Sequence, residues 1–428
     1  MHVFISTGEP SGDLHGGNLI RALRQRDPSL SAVGYGGPHM KSAGCDVLFP
    51  LTDLALMWFL RVGLNLHRFV ALIRKANRYF REKKPDAVIV IDFPGFNWWI
   101  ARRAHAHGIP VFYFVPPQLW AWAPWRISKM RKWVDHVLCS LPFEAEWYEN
   151  RGVRATYVGH PFYDEIEGRV LDHDFIREHQ SVSGCEKVIE NARSTSDPLS
   201  SKSAKPIVGL LPGSRKQEVT SNFPIILRSA QLLQKRIPEA RFWVACFSVE
   251  HEELIRSMSQ ECSVPLELYL GRTPEVIHAS TVCLSVSGSV SLELLSDAKP
   301  TVIVYKVSAS ARWAARKLMH CPYITLVNLL AAEELYPEFL TDNDPSQEVS
   351  EHLYRWLSDV EFYKSTVDKL IRLREQYAHA GASRRAAGYI VDTLNRSAKT
   401  SSTVNASSPG SSTLGTRLSH HRKVSGSS

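Results

Sequence analysis

One aspartate is the strongest candidate for a catalytic base because of what precedes it. Residues 88–91 read Val-Ile-Val-Ile, the composition of a buried strand, and Asp92 follows directly. Open parallel sheets bind ligands at the carboxyl ends of their strands, so a carboxylate there can accept a proton from a substrate hydroxyl. The alternative interpretation is that Asp92 caps the next helix.

A glycine-rich turn follows the first apolar segment and carries further acidic and hydroxyl groups. Residues 8–17 read Gly-Glu-Pro-Ser-Gly-Asp-Leu-His-Gly-Gly, which places Glu9, Ser11 and Asp13 beside a helix start. Glycines let the backbone approach a ligand. The two acids argue against phosphate there, and the dinucleotide pattern G-x-G-x-x-G is absent. The alternative is a tight turn in which Asp13 caps the helix.

Two turns in the second half of the chain have the composition of a sugar-nucleotide site. Residues 210–218 combine a glycine turn with adjacent Arg and Lys, and an arginine fork with backbone N–H groups suits a diphosphate. Residues 285–293 place small residues before a helix, with a glutamate one turn later that can accept from ribose hydroxyls. Plain turns are the alternative. The candidates for sugar-nucleotide contact are Gly213, Ser214, Arg215, Glu218, Ser287, Gly288, Ser289 and Glu293.

Composition excludes several classes of protein. The 428 residues are 44% hydrophobic and 22% charged, as in a globular protein of two or three domains. The seven cysteines form no C-x-x-C pair, which argues against a structural zinc site and a disulfide scaffold. Two Asp-x-Asp triplets, at 172–174 and 342–344, lie in polar turn sequence. We therefore predict no metal and no cofactor.

Short apolar runs alternate with amphipathic stretches of helical length along most of the chain. This pattern predicts an α/β protein with two Rossmann-like, doubly wound sheets. The N-terminus reads as a strand and not as a signal peptide, and no apolar run approaches the ~18 residues of a membrane span. We expect a membrane-facing domain over 1–165, a linker with an insertion over 166–205, a sugar-nucleotide domain over 206–345, helices over 346–395 and a disordered basic tail over 396–428.

The formal charge of +8 is concentrated in two places. Residues 55–84 carry a net +7 and residues 396–428 carry +5, which leaves the rest of the chain at -4. An apolar cluster beside a basic face is typical of a helix that binds anionic lipid headgroups. The alternative is a core helix with a solvated basic face. The candidates for membrane or acyl-chain contact are Met57, Trp58, Phe59, Leu60 and Phe69.

Taken together, the motifs resemble those of the lipid-A-disaccharide synthases, in order from about residue 3 to 394. They include Gly8-Glu9-x-Ser11-Gly12-Asp13, Asp92-x-Pro94-x-Phe96-Asn97, Pro117-Gln118-x-Trp120-Ala121-Trp122, Leu141-Pro142-Phe143-Glu144, Val158-Gly159-His160-Pro161, Leu211-Pro212-Gly213-Ser214-Arg215, Leu292-Glu293 and Asn328-Leu329-Leu330. The segment 166–205 and the tail fall outside the resemblance.

The resemblance implies an inverting GT-B glycosyltransferase on the inner face of the cytoplasmic membrane. It would join UDP-2,3-diacylglucosamine to 2,3-diacylglucosamine 1-phosphate, giving a β-1,6-linked disaccharide phosphate and UDP. It implies that Asp92 is the base and that Glu9, Ser11 and Asp13 line the cleft. Arg215, Ser287, Ser289, Glu293 and Asn328 would lie on the UDP-sugar side. It also implies a homodimer with an exchanged C-terminal region, and no metal or nucleic acid.

This chain departs from the usual family pattern in three motifs. Met57-Trp58 and Arg61 replace Met-Gly and a nearby Glu, Gly95 replaces an Asp, and Ser289 replaces a Thr. The first leaves acyl-chain preference open. Two alternatives to the synthase remain: another GT-B UDP-sugar transferase or epimerase acting on a soluble substrate, and a basic nucleic-acid-binding protein that releases no UDP.

Overall fold

Two parallel β-sheets, one from each half of the chain, form the framework of the protein. The computed structural model describes residues 1–52, 66–181, 205–286 and 288–406. Helices cover both faces of each sheet, so the central strands are buried along their whole length and do not alternate with exposed polar residues. In Ala87–Ile91, for example, every residue is buried. The prediction of two Rossmann-like α/β units is confirmed.

The first sheet has seven strands in the order β3-β2-β1-β4-β5-β6-β7. All of its pairings are parallel. The strands are β1 (His2–Ser6), β2 (Ser31–Gly36), β3 (Asp46–Pro50), β4 (Ala87–Ile91), β5 (Val111–Phe114), β6 (His136–Cys139) and β7 (Ala155–Tyr157).

The second sheet has six strands in the order β10-β9-β8-β11-β12-β13, again paired in parallel. The strands are β8 (Ile207–Leu211), β9 (Arg241–Cys246), β10 (Leu266–Leu270), β11 (Val282–Val286), β12 (Thr301–Lys306) and β13 (Glu338–Thr341).

Each sheet reverses its strand order at one point, and the predicted site residues follow the strands at that point. In the first sheet β1 lies beside β4, and in the second β8 lies beside β11. The connections from these neighbouring strands leave in opposite directions, which opens a crevice at their carboxyl ends. The Gly8 turn and Asp92 follow β1 and β4, and the Gly213 turn follows β8. The topology therefore brings together motifs that are far apart in sequence.

The helices of the first half alternate with its strands. They are α1 (Pro10–Arg26), α2 (Pro38–Ser42), α3 (Leu66–Lys83), α4 (Pro94–Ala106), α5 (Leu119–Trp122), α6 (Ile127–Trp133), α7 (Pro142–Glu149), α8 (Phe162–Glu167) and α9 (His173–Ser181), with a 3-10 turn at Pro124–Arg126. Proline occupies the first position of α1, α2, α4 and α7, where its missing N–H has no intrahelical partner to lose.

The second half continues with helices on its sheet and then a helical C-terminal region. These are α10 (Lys216–Arg236), α11 (Val249–Met258), α12 (Thr273–Ala279), α13 (Val290–Ser296), α14 (Ala309–Leu318), α15 (Leu326–Ala331), α16 (Ser346–Ser358), α17 (Val360–Tyr377) and α18 (Ala382–Ala406).

The last helix returns to the first sheet, as the fold prediction requires. Ala386, Ala387 and Ile390 of α18 are fully buried in the same apolar cluster as Leu19 and Leu23 of α1. The carboxylate of Asp164 in α8 accepts the backbone N–H groups of residues 381, 382 and 383, which fixes the start of α18. The helix continues to Ala406, so the helical region extends beyond its predicted end at residue 395.

Part of the predicted linker is helical and belongs to the second half. Phe175 of α9 packs into the apolar cluster of the second sheet, with its ring 5.2 Å from that of Tyr269. The insertion within this linker, at 182–204, lies outside the described residues. In the described ranges, no helix is long and apolar enough to cross a membrane.

Candidate active site and donor-side cleft

Asp92 lies at the carboxyl end of β4 on an unusual piece of backbone. Asp92 and Phe93 both have positive φ values, 45° and 47°. Two consecutive non-glycine residues in this region cost conformational energy and are typical of functional sites. The Phe93 ring turns toward Gly8, where a Cβ atom would lie 2.3 Å from it. Glycine at position 8 therefore lets the turn after β1 approach the turn after β4.

Asn97 holds this strained turn in place. Its Nδ2 donates to the carbonyl oxygens of Asp92 (2.8 Å) and Ile91 (3.1 Å), and its Oδ1 accepts from the Ser6 hydroxyl (2.7 Å). The Tyr113 hydroxyl also donates to the Asp92 carbonyl, at 2.9 Å. These bonds fix the Asp92 backbone at the carboxyl end of β4, which pairs with β1.

The surroundings of the Asp92 carboxylate favour its neutral form. Burial, and then the negative charge of Glu9, raise the pKa of Asp92 to about 6. Glu9 is the residue before α1 and is partly exposed. A carboxyl group with this pKa is mostly ionised at neutral pH and is still basic enough to accept a proton. The geometry thus supports the interpretation of Asp92 as a base.

The other two predicted residues of the first turn have different surroundings. Ser11 is exposed in the first turn of α1. Asp13 is only 1% exposed, and its carboxylate accepts the backbone N–H groups of Gly37 (2.7 Å), His39 (2.9 Å) and Met40 (3.1 Å). Because these bonds occupy both carboxylate oxygens, Asp13 anchors the start of α2 and does not line the cleft as predicted.

Two histidines pack together behind the first turn. The rings of His15 in α1 and His160 lie 6.5 Å apart, edge to face. Burial lowers the pKa of His15 to about 4 and that of His160 to about 3. Both imidazoles are therefore neutral at physiological pH. They contribute packing between α1 and the turn after β7.

The tryptophans of α4 and of the segment after β5 are divided between core and surface. Trp98 and Trp120 are buried, and the Trp120 indole donates to Glu144 at 3.0 Å. Burial raises the pKa of Glu144 to about 7, although its carboxylate also accepts the backbone N–H of Leu141. The two motif residues Trp120 and Glu144 are therefore joined by a buried hydrogen bond within the first domain.

The turn after β8 has the strained backbone expected of a ligand-binding glycine turn. Gly213 has φ +109°, and a Cβ atom there would lie 2.7 Å from a carboxylate oxygen of Glu218. Glu218 accepts the backbone N–H groups of Ser214 (3.1 Å) and Arg215 (3.3 Å), and also an N–H of the Arg215 guanidinium (3.0 Å). Glu218 thus shapes the turn, and the Arg215 side chain, 70% exposed, projects from it.

The turn after β11 carries the second group of residues that the sequence predicts to contact a sugar nucleotide. Gly288 and Ser289 are exposed before α13, and Ser287 lies outside the described residues. Glu293 in α13 is nearly buried and forms an ion pair with Arg169, which follows α8. Burial raises the pKa of Glu293, and the charge and hydrogen bond of Arg169 offset part of the rise. Sequence reasoning missed Arg169, which lies in a polar stretch without a recognisable motif.

Asn328 has a structural role that its motif did not reveal. It is fully buried, and its Oδ1 accepts the N–H groups of Leu335 (2.9 Å) and Tyr336 (2.8 Å). Its Nδ2 donates to the Tyr336 carbonyl (2.7 Å) and to Glu338 (2.8 Å). With its amide fully bonded inside the protein, Asn328 anchors the segment after α15 and is not available to UDP-sugar as predicted.

The structure also corrects one predicted membrane contact. Phe69 in α3 is 6% exposed and packs against Phe96, with ring centroids 5.5 Å apart. It is a core residue because it shares the buried face of α3 with Leu72, Ala76 and Phe80 at helical spacing. The other four candidates, Met57, Trp58, Phe59 and Leu60, lie outside the described residues.

An aspartate of each Asp-x-Asp triplet forms an ion pair with an arginine. Asp172 pairs with Arg272 at 2.9 Å, and Asp342 with Arg312 at 3.1 Å. Across the parts of the chain that the structure describes, no group of three His, Cys, Asp or Glu side chains could hold a metal ion.

Two solved structures, one of them a complex with UDP, share this architecture. S. aureus MnaA in complex with UDP superimposes with a TM-score of 0.60 at 13% identity, covering 92% of this chain and 97% of that one. The calicheamicin glycosyltransferase CalG4 superimposes with a TM-score of 0.50 at 14% identity, covering 93% and 99%. Two facing Rossmann-like sheets with helices returning to the first define the GT-B class of fold, and the expected fold class is confirmed.

Sequence comparison then identifies the family. A profile described as lipid-A-disaccharide synthetase matches residues 3–391. The lipid-A-disaccharide synthase of Trichlorobacter lovleyi is 33% identical over 395 residues, covering 92% of this chain and 98% of that protein. This chain belongs to the lipid-A-disaccharide synthase family and is a glycosyltransferase of lipid A biosynthesis that uses a nucleotide-sugar donor. The motif-based expectation of family and activity is confirmed.

Proposed function

We propose that Asp92 is the general base of an inverting transfer between UDP-2,3-diacylglucosamine and 2,3-diacylglucosamine 1-phosphate. Asp92 removes the proton of the acceptor 6-hydroxyl as that oxygen attacks the anomeric carbon of the donor. The bond from that carbon to the UDP oxygen breaks on the opposite face, which inverts the configuration. The support for this role is the position of Asp92 at the β1/β4 crevice with a pKa of about 6.

The second domain is proposed to bind the departing UDP. Arg215 projects from the Gly213 turn, and its guanidinium suits the charge that grows on the diphosphate as the bond breaks. Ser214, Gly288 and Ser289 present small side chains at the ends of neighbouring strands, where the backbone can approach phosphate. Glu293, oriented by Arg169, is placed to accept from ribose hydroxyls. Ser287 remains a proposed member of this group.

The first domain is proposed to lie on the inner face of the cytoplasmic membrane. Below its buried stripe, α3 exposes Arg68, Arg74, Lys75 and Arg78. Such a cationic face attracts anionic headgroups by about 1 kcal/mol for each Lys or Arg near the surface. Both substrates are diacylated, so this location would supply them directly.

A homodimer with exchanged C-terminal regions is also proposed. The support is that α18 is joined to α17 by only a short segment at 378–381, yet buries its apolar face on the other half of the molecule. Such a docked terminal helix can come from a second copy without loss of contacts. Light scattering of the purified chain would show twice the monomer mass. A monomer across the working concentration range would refute this proposal.

One assay tests the proposed chemistry. Purified protein is incubated with both acylated sugars, and UDP and disaccharide phosphate are quantified together. Equal formation of both products in wild type, with a loss of about 100-fold or more in Asp92→Asn, is expected. Donor alone serves as the control for epimerisation. No disaccharide from wild type would refute the reaction, and an unimpaired Asp92→Asn would refute the base.

A further inference from the structure

Exposed tryptophans form a band that extends from the first domain to the second. Trp99 on α4 is 47% exposed, Trp122 on α5 is 45% exposed and Trp125 is 60% exposed. On α14 of the second domain, Trp313 is 62% and Leu318 49% exposed. We call these five residues the aromatic band. Large apolar side chains exposed in such numbers mark an interaction surface.

The chain segments that carry the aromatic band have only positive charge. Residues 93–134 contain six Lys or Arg and no Asp or Glu, and residues 298–332 contain five Lys or Arg and no Asp or Glu. Of these five, Arg312 pairs with Asp342 and Lys299 donates to backbone carbonyls. Neither segment overlaps the basic stretch at 55–84. Lys317 lies over the Trp313 ring, with its Nζ 4.3 Å from the ring centroid, so α14 presents a cation and an aromatic ring together. This composition favours an anionic partner with an apolar layer.

Packing connects the band to the cationic face of α3. Helix α3 packs against α4, α4 against α6, and α6 against the turn at Pro124–Arg126, which packs against α5. The link to the second domain is direct: the backbone N–H of His320, just after α14, donates to the carbonyl of Ala121 in α5 at 2.9 Å. The cations of α3, the tryptophans of α4 and α5, and α14 thus follow one another across the molecule.

We propose that α14 is a second membrane-binding element, so that an anionic bilayer contacts both domains and not the first alone. Tryptophan prefers the interface between headgroups and acyl chains, and Lys or Arg beside it prefers anionic lipid. Glycosylation then takes place with both domains on one surface, and Asp92 lies two residues before α4, the helix that carries Trp99 of the aromatic band. This inference rests on the membrane location proposed above.

Vesicle binding tests the contribution of α14 separately. The full chain is sedimented with vesicles of phosphatidylglycerol and phosphatidylcholine, and with vesicles of phosphatidylcholine alone. The variant Trp313→Ala with Lys317→Ala should bind the anionic vesicles at least about fivefold more weakly, since one cation near such a surface is worth about that factor. Arg74→Ala with Arg78→Ala on α3 should also weaken binding.

A matched control removes one exposed apolar residue and one cation from another second-domain helix. Val249→Ala with Arg256→Ala changes α11, where these side chains are 53% and 63% exposed, and should bind like wild type. Activity on detergent-dispersed substrates reports folding and should be unchanged in the α14 variant, while activity on vesicle-presented substrates should fall.

The possible failures are distinguishable. If wild type does not bind anionic vesicles, the membrane location itself is refuted. If the α3 variant loses binding and the α14 variant does not, only the role of α14 is overturned. A change in oligomeric mass of the α14 variant would also overturn it, because the band would then be a subunit contact. Stronger binding to an RNA oligonucleotide than to the vesicles would do the same.

Discussion

Replacing Asp92 with Asn should make the protein more stable at neutral pH while it abolishes most activity. Burial and Glu9 raise the pKa of Asp92 from 3.8 to about 6 in the folded state. A difference of one pKa unit between the folded and unfolded states corresponds to 1.36 kcal/mol. The ionised carboxylate therefore destabilises the fold by up to about 3 kcal/mol. Asp92 is partly exposed, and solvent screening reduces the expected effect to about 1–2 kcal/mol.

The sign and the pH range of this effect follow from the two pKa values. Above pH 6 the folded protein carries the buried charge, and Asn, which has none, removes that destabilisation. Below pH 3.8 the carboxyl is protonated in both folded and unfolded chains, so the difference between the two proteins vanishes. Asn also tolerates the positive φ at position 92 better than most residues do, so the strained turn can persist.

Thermal denaturation at a series of pH values is the assay. We expect the midpoint of Asp92→Asn to exceed that of wild type by a few degrees at pH 8, on the order of 2–4 °C per kcal/mol, and to converge with it near pH 4. UDP release should fall by about 10²–10⁴-fold. A variant less stable than wild type at pH 8, or a gain that does not depend on pH, would refute the buried-charge reasoning.

Three further substitutions test individual contacts. Glu9→Gln removes the charge that helps raise the pKa of Asp92. The acidic limb of the plot of kcat against pH should therefore move to lower pH by less than about one unit. A limb that does not move would contradict this. Arg169→Ala leaves Glu293 without its ion pair, so the KM for the donor should rise about tenfold in initial-rate measurements while kcat changes little. Arg169→Lys should restore part of the lost affinity. Asn328→Ala removes four buried hydrogen bonds and should lower the free energy of unfolding by about 3 kcal/mol, while donor KM stays constant. A higher KM without loss of stability would instead mean that Asn328 contacts the donor.

Some of the site could be predicted because its signals are local. An apolar run followed by an acid places Asp92 at a strand end, and a glycine next to small and basic residues marks the turn at Gly213. Asn97 could also have been identified, since it is a polar residue in an otherwise apolar first turn of α4. Its bond to Ser6 spans 91 positions, however, and only the pairing of β1 with β4 creates that contact.

Other assignments failed because sequence shows a residue type without its partner. Asp13 and Asn328 looked like ligand-binding groups, but their polar atoms are occupied by backbone of the same chain. Phe69 looked like part of an apolar membrane contact, but helical periodicity places it on the buried face of α3. A buried polar group must be hydrogen-bonded inside the protein, and no local pattern tells which groups those will be.

The sequence by itself determined the family, the class of fold and the strand ends that carry the candidate site residues, because strand composition, glycine turns and motif order are properties of neighbouring residues. Only the tertiary structure decided the pKa of Asp92, the pairing of Arg169 with Glu293 across 124 positions, and the junction of α5 with the segment after α14. Desolvation and charge pairing depend on what packs around a group. Those surroundings are supplied by distant parts of the chain that meet only in the folded protein.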